Sequence, residues 1–224
     1  MKSETPIVKP LADGCSSGVV RLANWQDLAH YLKMIGKGAD RIPPGVMTYV
    51  ASTVELPRQI PDFLLFETFV ESDQPTIRGR ELHWNTKSGW VAITVGVLGK
   101  HGEIRALKPS IAIAAGQVLS LEEKFQGGTG INITPPPEPW VAETAWNSAQ
   151  RKIEFVAQKL GINGFARIDA FMEVQKGNLL VIEANTIPGL TPSTVIYQQA
   201  LAEDPAIDPT QFLEKILEYR NTFS

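Results

Sequence analysis

The chain has 224 residues, of which 43% are hydrophobic and 20% charged, with a net charge of −3. That is ample material for a core, and there is no basic surplus to point to nucleic acid or an anionic membrane. A lone cysteine, Cys15, excludes an internal disulfide and fits a reducing compartment. No stretch is long enough to cross a bilayer, and Met1 to Pro10 lacks the apolar run of a signal peptide, so the expected location is the cytoplasm.

Thr5 to Lys9 reads as a short strand, followed by a small-residue loop, Ala12 to Gly18, and a strand from Val19 to Leu22. Asn24 is placed to cap a helix over 25–35 with Trp25, Leu28, Leu32 and Ile35 on one stripe. Residues 36–61 are rich in Gly and Pro and predict loop, with one strand near Met47 to Val50. Phe63 to Val70 is a near-continuous apolar run that predicts a buried strand, in which Glu67 needs a partner. Strands follow near 77–84 and 90–99, and Lys100-His101-Gly102 turns the second into a partner near 103–107. The stretch 126–139 is a long Gly/Pro-rich loop, of a kind that is usually functional. Helical periodicity returns over 141–160 and stops at Gly161, a C′ residue. Two more helices are expected, near 193–202 and after Asp208-Pro209, where a cap precedes a proline at the first helical position. His30, His83 and His101 share no ligand spacing, and Trp84 and Trp90 flank a hairpin as packing residues. The order of sheet, long helix, sheet and terminal helices predicts an α+β fold.

The chemistry concentrates between residues 164 and 194. Gln175-Lys176-Gly177 reads as a three-residue hairpin loop with Gly where positive φ is needed. That register pairs Val174 with Asn178 and, counted outward, sets Asp169 opposite Glu183 and Arg167 opposite Asn185. Ile168, Ala170, Met172, Leu180, Ile182 and Ala184 then point the other way, into a core. Opposed carboxylates repel unless something cationic lies between them. Oxygens from Asp169, Glu183 and Asn185 suit Mg2+, with Mn2+ as the alternative ion, and such an ion usually takes phosphate oxygens as well. A merely solvent-facing hairpin is the bland alternative, but solvated faces seldom oppose carboxylates directly.

Taken together, these residues resemble the ATP-grasp superfamily and, within it, the D-alanine–D-alanine ligase type. The resemblance is carried by Ile7 to Pro10 with Gly14 to Val19, by Leu65 to Val70, and by Val95 to Gly99. It continues through Leu121 to Phe125, Gly164 to Asp169 and Glu183 to Thr194. It implies an ATP-grasp fold incomplete at its N-terminus, with mixed and antiparallel sheets, packed helices and nucleotide between two subdomains. A partial small (lid) subdomain would occupy 1–66, and a C-terminal subdomain with the metal site 67–224. The implied reaction is ADP-forming ligation: ATP phosphorylates a carboxylate, and an amine displaces phosphate from the acyl phosphate. Amino acids or other small carboxylates and amines would be the substrates, and peptidoglycan synthesis the setting.

By the same resemblance, Asp169, Glu183 and Asn185 hold Mg2+ ions bridging the phosphates of ATP, and Arg167 meets phosphate oxygens or the developing oxyanion. Lys9 reaches the α and β phosphates, while amides around Ser16, Ser17 and Gly18 cap the phosphate chain. Glu67, Thr68, Phe69 and Val70 link the subdomains and bind adenine, and ribose falls to Glu71 or Glu81. Lys124, before Gly127 to Gly130, matches a lysine that approaches the γ-phosphate, although a surface lysine explains it equally well. Gly189, Ser193 and Thr194 match the region that binds the second substrate's carboxylate and the oxyanion, and Ser193 can also cap the next helix.

Two departures bear on specificity. Phe125 stands where many such ligases carry an aromatic hydroxyl, and an insertion near 72–90 would be a specificity element in a branch acting on a larger acid. The family's N-terminal substrate domain is expected in cis or in trans. Without ligation, the same residues would make a nucleotide-binding regulatory or scaffold module.

Overall fold

A computed structural model of the chain describes residues 2–12, 14, 16–78, 81–113 and 131–220. Lys124 and Gly127 to Gly130 lie outside these residues. The chain divides into two units, Met1–Glu71 and Ser72–Ser224. The strand Leu64–Val70 pairs with Lys2–Pro10 inside the first unit, through an irregularity between Lys2 and Pro6.

The first unit contains β1 (Lys2–Pro10), β2 (Val20–Arg21), α1 (Trp25–Gly36), β3 (Arg41–Ile42), β4 (Val54–Glu55) and β5 (Leu64–Val70). Its main sheet has the order β2-β1-β5, all antiparallel, and β3 and β4 form a separate ribbon. Asn24 caps α1 as expected, its side chain accepting from the Asp27 amide at 3.0 Å. Half of the expected stripe holds: Ile35 is buried and Leu28 packs on the core, but Trp25 is 73% and Leu32 44% exposed. Asp27 and Tyr31 take the inward positions in their place. The two polar members carry their own partners: Tyr31 donates to the Gly18 carbonyl at 2.8 Å, and Asp27 accepts from the Ala23 and Thr48 amides.

Met47 to Val50 is a turn and no strand, closed by the Val50 amide on the Met47 carbonyl at 3.1 Å, with Met47 and Val50 buried and Thr48 and Tyr49 exposed. β5 lies at the sheet edge with Leu65 and Phe66 exposed, so its apolar run does not mark a buried strand.

The second unit contains β6 (Gln74–Arg78), β7 (Glu81–Asn85), β8 (Trp90–Gly99), β9 (Arg105–Ala106), β10 (Ser110–Ile113) and β11 (Ile131–Ile133). These are followed by α2 (Glu143–Lys159), β12 (Gly164–Glu173), β13 (Leu179–Asn185), α3 (Val195–Leu201) and α4 (Pro209–Arg220). An antiparallel sheet runs β11-β10-β8-β12-β13, with β9 also on β8. One face, with Val95, Val97, Ala166, Ile168 and Met172, packs on α2. The opposite alternation, through Leu98 and Phe165, packs on α3 and α4 around Phe212. α2 ends as expected at Gly161, φ 67°, where the Ile162 amide reaches back to the Ala157 carbonyl at 3.0 Å. Asp208 caps α4 by accepting from the Gln211 amide at 2.9 Å.

The insertion at 72–90 is the β6–β7 hairpin, and Asp73 anchors it. This buried carboxylate accepts from the amides of Lys87, Ser88 and Gly89 at 2.7, 2.8 and 3.0 Å, and from the Trp84 indole at 3.0 Å. Trp84 also stacks on Trp140 with ring centroids 6.0 Å apart, the packing role expected for it. Among the described residues, no helix is long and apolar enough to cross a membrane.

Candidate functional site

Asp169 stands opposite Glu183, and Arg167 opposite Asn185, on neighbouring β12 and β13. The expected pairings hold, but by a different route. Near the turn Met172 pairs with Leu179, and the loop has four residues, Val174 to Gly177, closed by the Gly177 amide on the Glu173 carbonyl at 2.9 Å. Farther from the turn, the ladder shifts between Asp169 and Ala170, leaving Ile182 as an extra residue in β13. This bulge cancels the longer loop. The longer loop sets Leu179, not Leu180, opposite Met172 and into the core, while Leu180 and the bulged Ile182 are each 39% exposed.

Across β8, Asp169 faces Thr94 and Arg167 faces Gly96. A polar row therefore runs Ser110, Thr94, Asp169, Glu183 over four strands, on the α3 side of the sheet. Arg167 binds Asp169 in a fork, Nε to Oδ1 at 3.2 Å and Nη2 to Oδ2 at 3.1 Å. Asn185 Nδ2 donates to Asp169 Oδ2 at 3.2 Å and to Glu183 Oε1 at 3.1 Å. The repulsion between the carboxylates is thus relieved by an amide and a guanidinium. Turning the Asn185 amide over would replace its donor with a third oxygen facing the same point. Among the described residues, no three His, Cys, Asp or Glu side chains gather into a metal cluster. Two carboxylates and one amide make an oxygen set that suits a hard ion needing water or phosphate to complete its shell.

After β13, Gly189 and Ser193 are exposed. The cap of α3 is Thr194, not Ser193, and it makes no side-chain cap bond; its amide donates to the Thr191 carbonyl at 2.9 Å.

In the first unit, Lys9 Nζ lies 2.6 Å from Glu67 Oε2, which supplies the partner that Glu67 requires. Ile7 is directly opposite Glu67, so the ion pair runs diagonally across β1 and β5. Ser16, Ser17 and Gly18 form a tight loop, with Ser16 at φ 56° and Gly18 at φ 67°. Two of its amides are engaged within the unit, Ser17 to the Gly14 carbonyl at 3.0 Å and Gly18 to that of Glu55 at 2.7 Å. A phosphate cradle made from those amides would require the loop to rearrange. Thr68 is exposed and Val70 half-buried on β5. The Phe69 ring is covered by the Arg21 guanidinium at 3.9 Å, which also lies 4.1 Å from Tyr49. Glu71 and Glu81 are both exposed, on different units.

Residues 88–218 match the family model described as D-ala D-ala ligase C-terminus. The chain belongs to this family. As a family member it is 29% identical over 179 residues to the D-alanine--D-alanine ligase of Carboxydothermus hydrogenoformans, covering 75% of the chain and 48% of that protein. With the D-alanine--D-alanine ligase of Geobacter sulfurreducens it shares 26% identity over 215 residues, covering 94% of the chain and 51% of that protein. The chain spans about half the length of these relatives. Its fold is similar to that of the VanG D-Ala:D-Ser ligase of Enterococcus faecalis, with a TM-score of 0.61, 16% identity, and 97% and 50% of the two chains covered. The Bacillus anthracis D-alanine--D-alanine ligase complexed with ATP gives a TM-score of 0.56 at 16% identity, with 96% and 52% covered. The fold is the ATP-grasp α+β arrangement that the motifs predicted. The opposed acids of β12 and β13 and the loop with Gly189 to Thr194 both fall inside the matched region.

Sequence reading missed Gln199, Ser110 and Thr94. Gln199 had one signal, an amide side chain following Ile196 on the inner face of a short helix. Hydroxyls within strands leave no comparable trace.

Proposed function

We propose that this chain is the ATP-binding, catalytic half of a D-alanine–D-alanine ligase-type enzyme, joining a carboxylate to an amine with release of ADP and phosphate. The observation that carries the reading is the Asp169–Glu183 rung, with Asn185 bridging it and Arg167 beside it. Asp169, Glu183 and Asn185 would hold Mg2+, which when bound neutralises phosphate charge that otherwise repels an incoming carboxylate. Arg167 would leave its fork on Asp169 to meet phosphate oxygens. Lys9 would leave Glu67 for the α and β phosphates, so that both cations exchange a protein carboxylate for a nucleotide anion. Thr68 to Val70 would supply the adenine edge and Glu71 or Glu81 the ribose contact, with 1–71 as the small subdomain.

A carboxylate oxygen then attacks the γ-phosphorus, ADP leaves, and an acyl phosphate forms. The neutral amine attacks the acyl carbon, phosphate departs, and the amine loses its proton. Gly189, Ser193 and Thr194 would hold the second substrate's carboxylate and the oxyanion, and Lys124 the γ-phosphate. These roles rest on family resemblance. The substrate domain would come from the rest of the enzyme, in cis or in trans, with a cytoplasmic site of action in peptidoglycan synthesis.

The test is ADP release with D-alanine and other amino acids, with Mg2+ and the complete enzyme. Amino-acid-dependent turnover supports the ligase. Tight Mg2+-ATP binding without turnover would identify a nucleotide-binding module instead.

A further inference from the structure

β8 carries the residues directly opposite Asp169 and Arg167, namely Thr94 and Gly96. Its other flank is interrupted. β9 pairs with Val97 and Leu98, and β10 with Ile93 and Thr94; between them the Leu107 amide still donates to the Gly96 carbonyl at 2.8 Å, after which the chain crosses to β10. The Gly96 amide and the Thr94 carbonyl face that crossing, where a buried unpaired amide or carbonyl is costly.

Gln199 of α3 fills it. This side chain is 0% exposed. Its Oε1 accepts from the Gly96 amide at 2.7 Å, and its Nε2 donates to the Thr94 carbonyl at 2.8 Å and to Ser110 Oγ at 3.0 Å. Ser110, also 0% exposed, shares a hydrogen bond with Thr134. The carboxamide thus acts as one rung of a missing strand. The approach depends on Gly96, since a Cβ there would lie 2.8 Å from Gln199 Oε1 and 2.7 Å from Ile196 Cγ1.

The same helix follows the loop that carries Gly189, Ser193 and Thr194. One side chain therefore ties this loop to the strand behind the acidic rung. Accordingly, we infer that Gln199 is a positioning residue, fixing β8 against β12 and holding the acceptor-side loop in register with the Asp169–Glu183 rung. The inference rests on the metal and nucleotide reading above.

Gln199→Glu in the complete enzyme tests it, with Mg2+-ATP affinity measured by calorimetry from pH 5 to 8 and folding followed by circular dichroism. An ionised Glu can accept from Gly96 but has no hydrogen for the Thr94 carbonyl, whereas a protonated Glu has one. Affinity should be about tenfold below wild type at high pH. The deficit should close as the pH falls and the buried carboxyl takes up its proton. Equal affinity at every pH, even with a lowered melting temperature, would make Gln199 merely structural and overturn the inference. If Gln199→Glu does not fold, Ser110→Ala decides: a loss of about threefold or more in affinity supports the inference, and no loss overturns it. If wild type itself does not bind Mg2+-ATP, the nucleotide reading fails and takes the inference with it. A wild type that binds alongside an unaffected variant leaves that reading standing and removes only Gln199's role.

Discussion

Arg167 grips both oxygens of Asp169, at 3.2 and 3.1 Å, so its guanidinium holds the carboxylate that a divalent ion would use. Glu183, by contrast, is exposed and receives a hydrogen bond from Asn185. The two acids should therefore respond differently to neutralisation. Asp169→Asn removes the charge from the two hydrogen bonds of the fork, lowering stability without ligand by about 1–3 kcal/mol. Glu183→Gln keeps an acceptor for Asn185 and should stay within about 0.5 kcal/mol of wild type. Urea unfolding without nucleotide separates them; equal losses would contradict the geometry.

Lys9 and Glu67 form a close pair at 2.6 Å near the sheet surface. Lys9→Met should change stability by no more than about 1 kcal/mol. If Lys9 also serves phosphate, ATP affinity should fall about tenfold, as expected for a lost charge-assisted contact. An unchanged ATP dissociation constant would confine Lys9 to its pair with Glu67.

Burial alone would raise the Asp73 carboxyl, but the amides of Ser88, Lys87 and Gly89 and the Trp84 indole outweigh it and hold its pKa below the ordinary 3.8. The contribution of this group is therefore complete above the unfolded value and disappears as pH falls through the lower folded one. Asp73→Asn should cost about 3 kcal/mol at pH 7. Its unfolding curve should also lose the part of the acid dependence below about pH 4 that belongs to this residue. An unchanged acid limb in the variant would mean that the cradle does not stabilise the ionised form.

Gly177 sits at φ 63° in the β12–β13 loop, and a Cβ there would strike the backbone oxygen of Ala145 in α2. Lys152 of α2 also donates to the Gly177 carbonyl at 2.8 Å. The turn is thus seated against the helix, and Gly177→Ala should destabilise by about 2–4 kcal/mol through backbone strain and overpacking together. Chemical unfolding at neutral pH gives the value. A change below 0.5 kcal/mol, an order expected only of featureless surface sites, would mean the turn is not clamped there.

The facing of Asp169 and Glu183 was legible from the alternation of β12 and β13, although the chain reaches it by another route. A four-residue loop and a bulge at Ile182 shift the register in opposite senses, and side-chain alternation alone reveals neither. Leu180 and Ile182 show the cost, since local pattern sent them to a core that the longer loop and the bulge, respectively, turn them away from. In α1, hydrophobicity favoured Trp25 and Leu32, but the inward positions went to Asp27 and Tyr31 because distant backbone groups satisfy them. β5 reads as buried by composition, yet the order β2-β1-β5 places it at an edge. What Gln199 bonds to was illegible for a related reason. Its partners Thr94, Gly96 and Ser110 lie about a hundred residues away, in a ladder gap that exists only after folding.

Calorimetric titration of ATP, with and without Mg2+, into wild type and Glu183→Gln tests the central claim most directly, because that variant should leave the fold intact. Wild type should bind ATP tightly only with Mg2+, and the variant should lose on the order of tenfold or more of that metal-dependent affinity. Equal Mg2+-ATP affinity in the two proteins would contradict the assignment of the β12–β13 rung as the metal site.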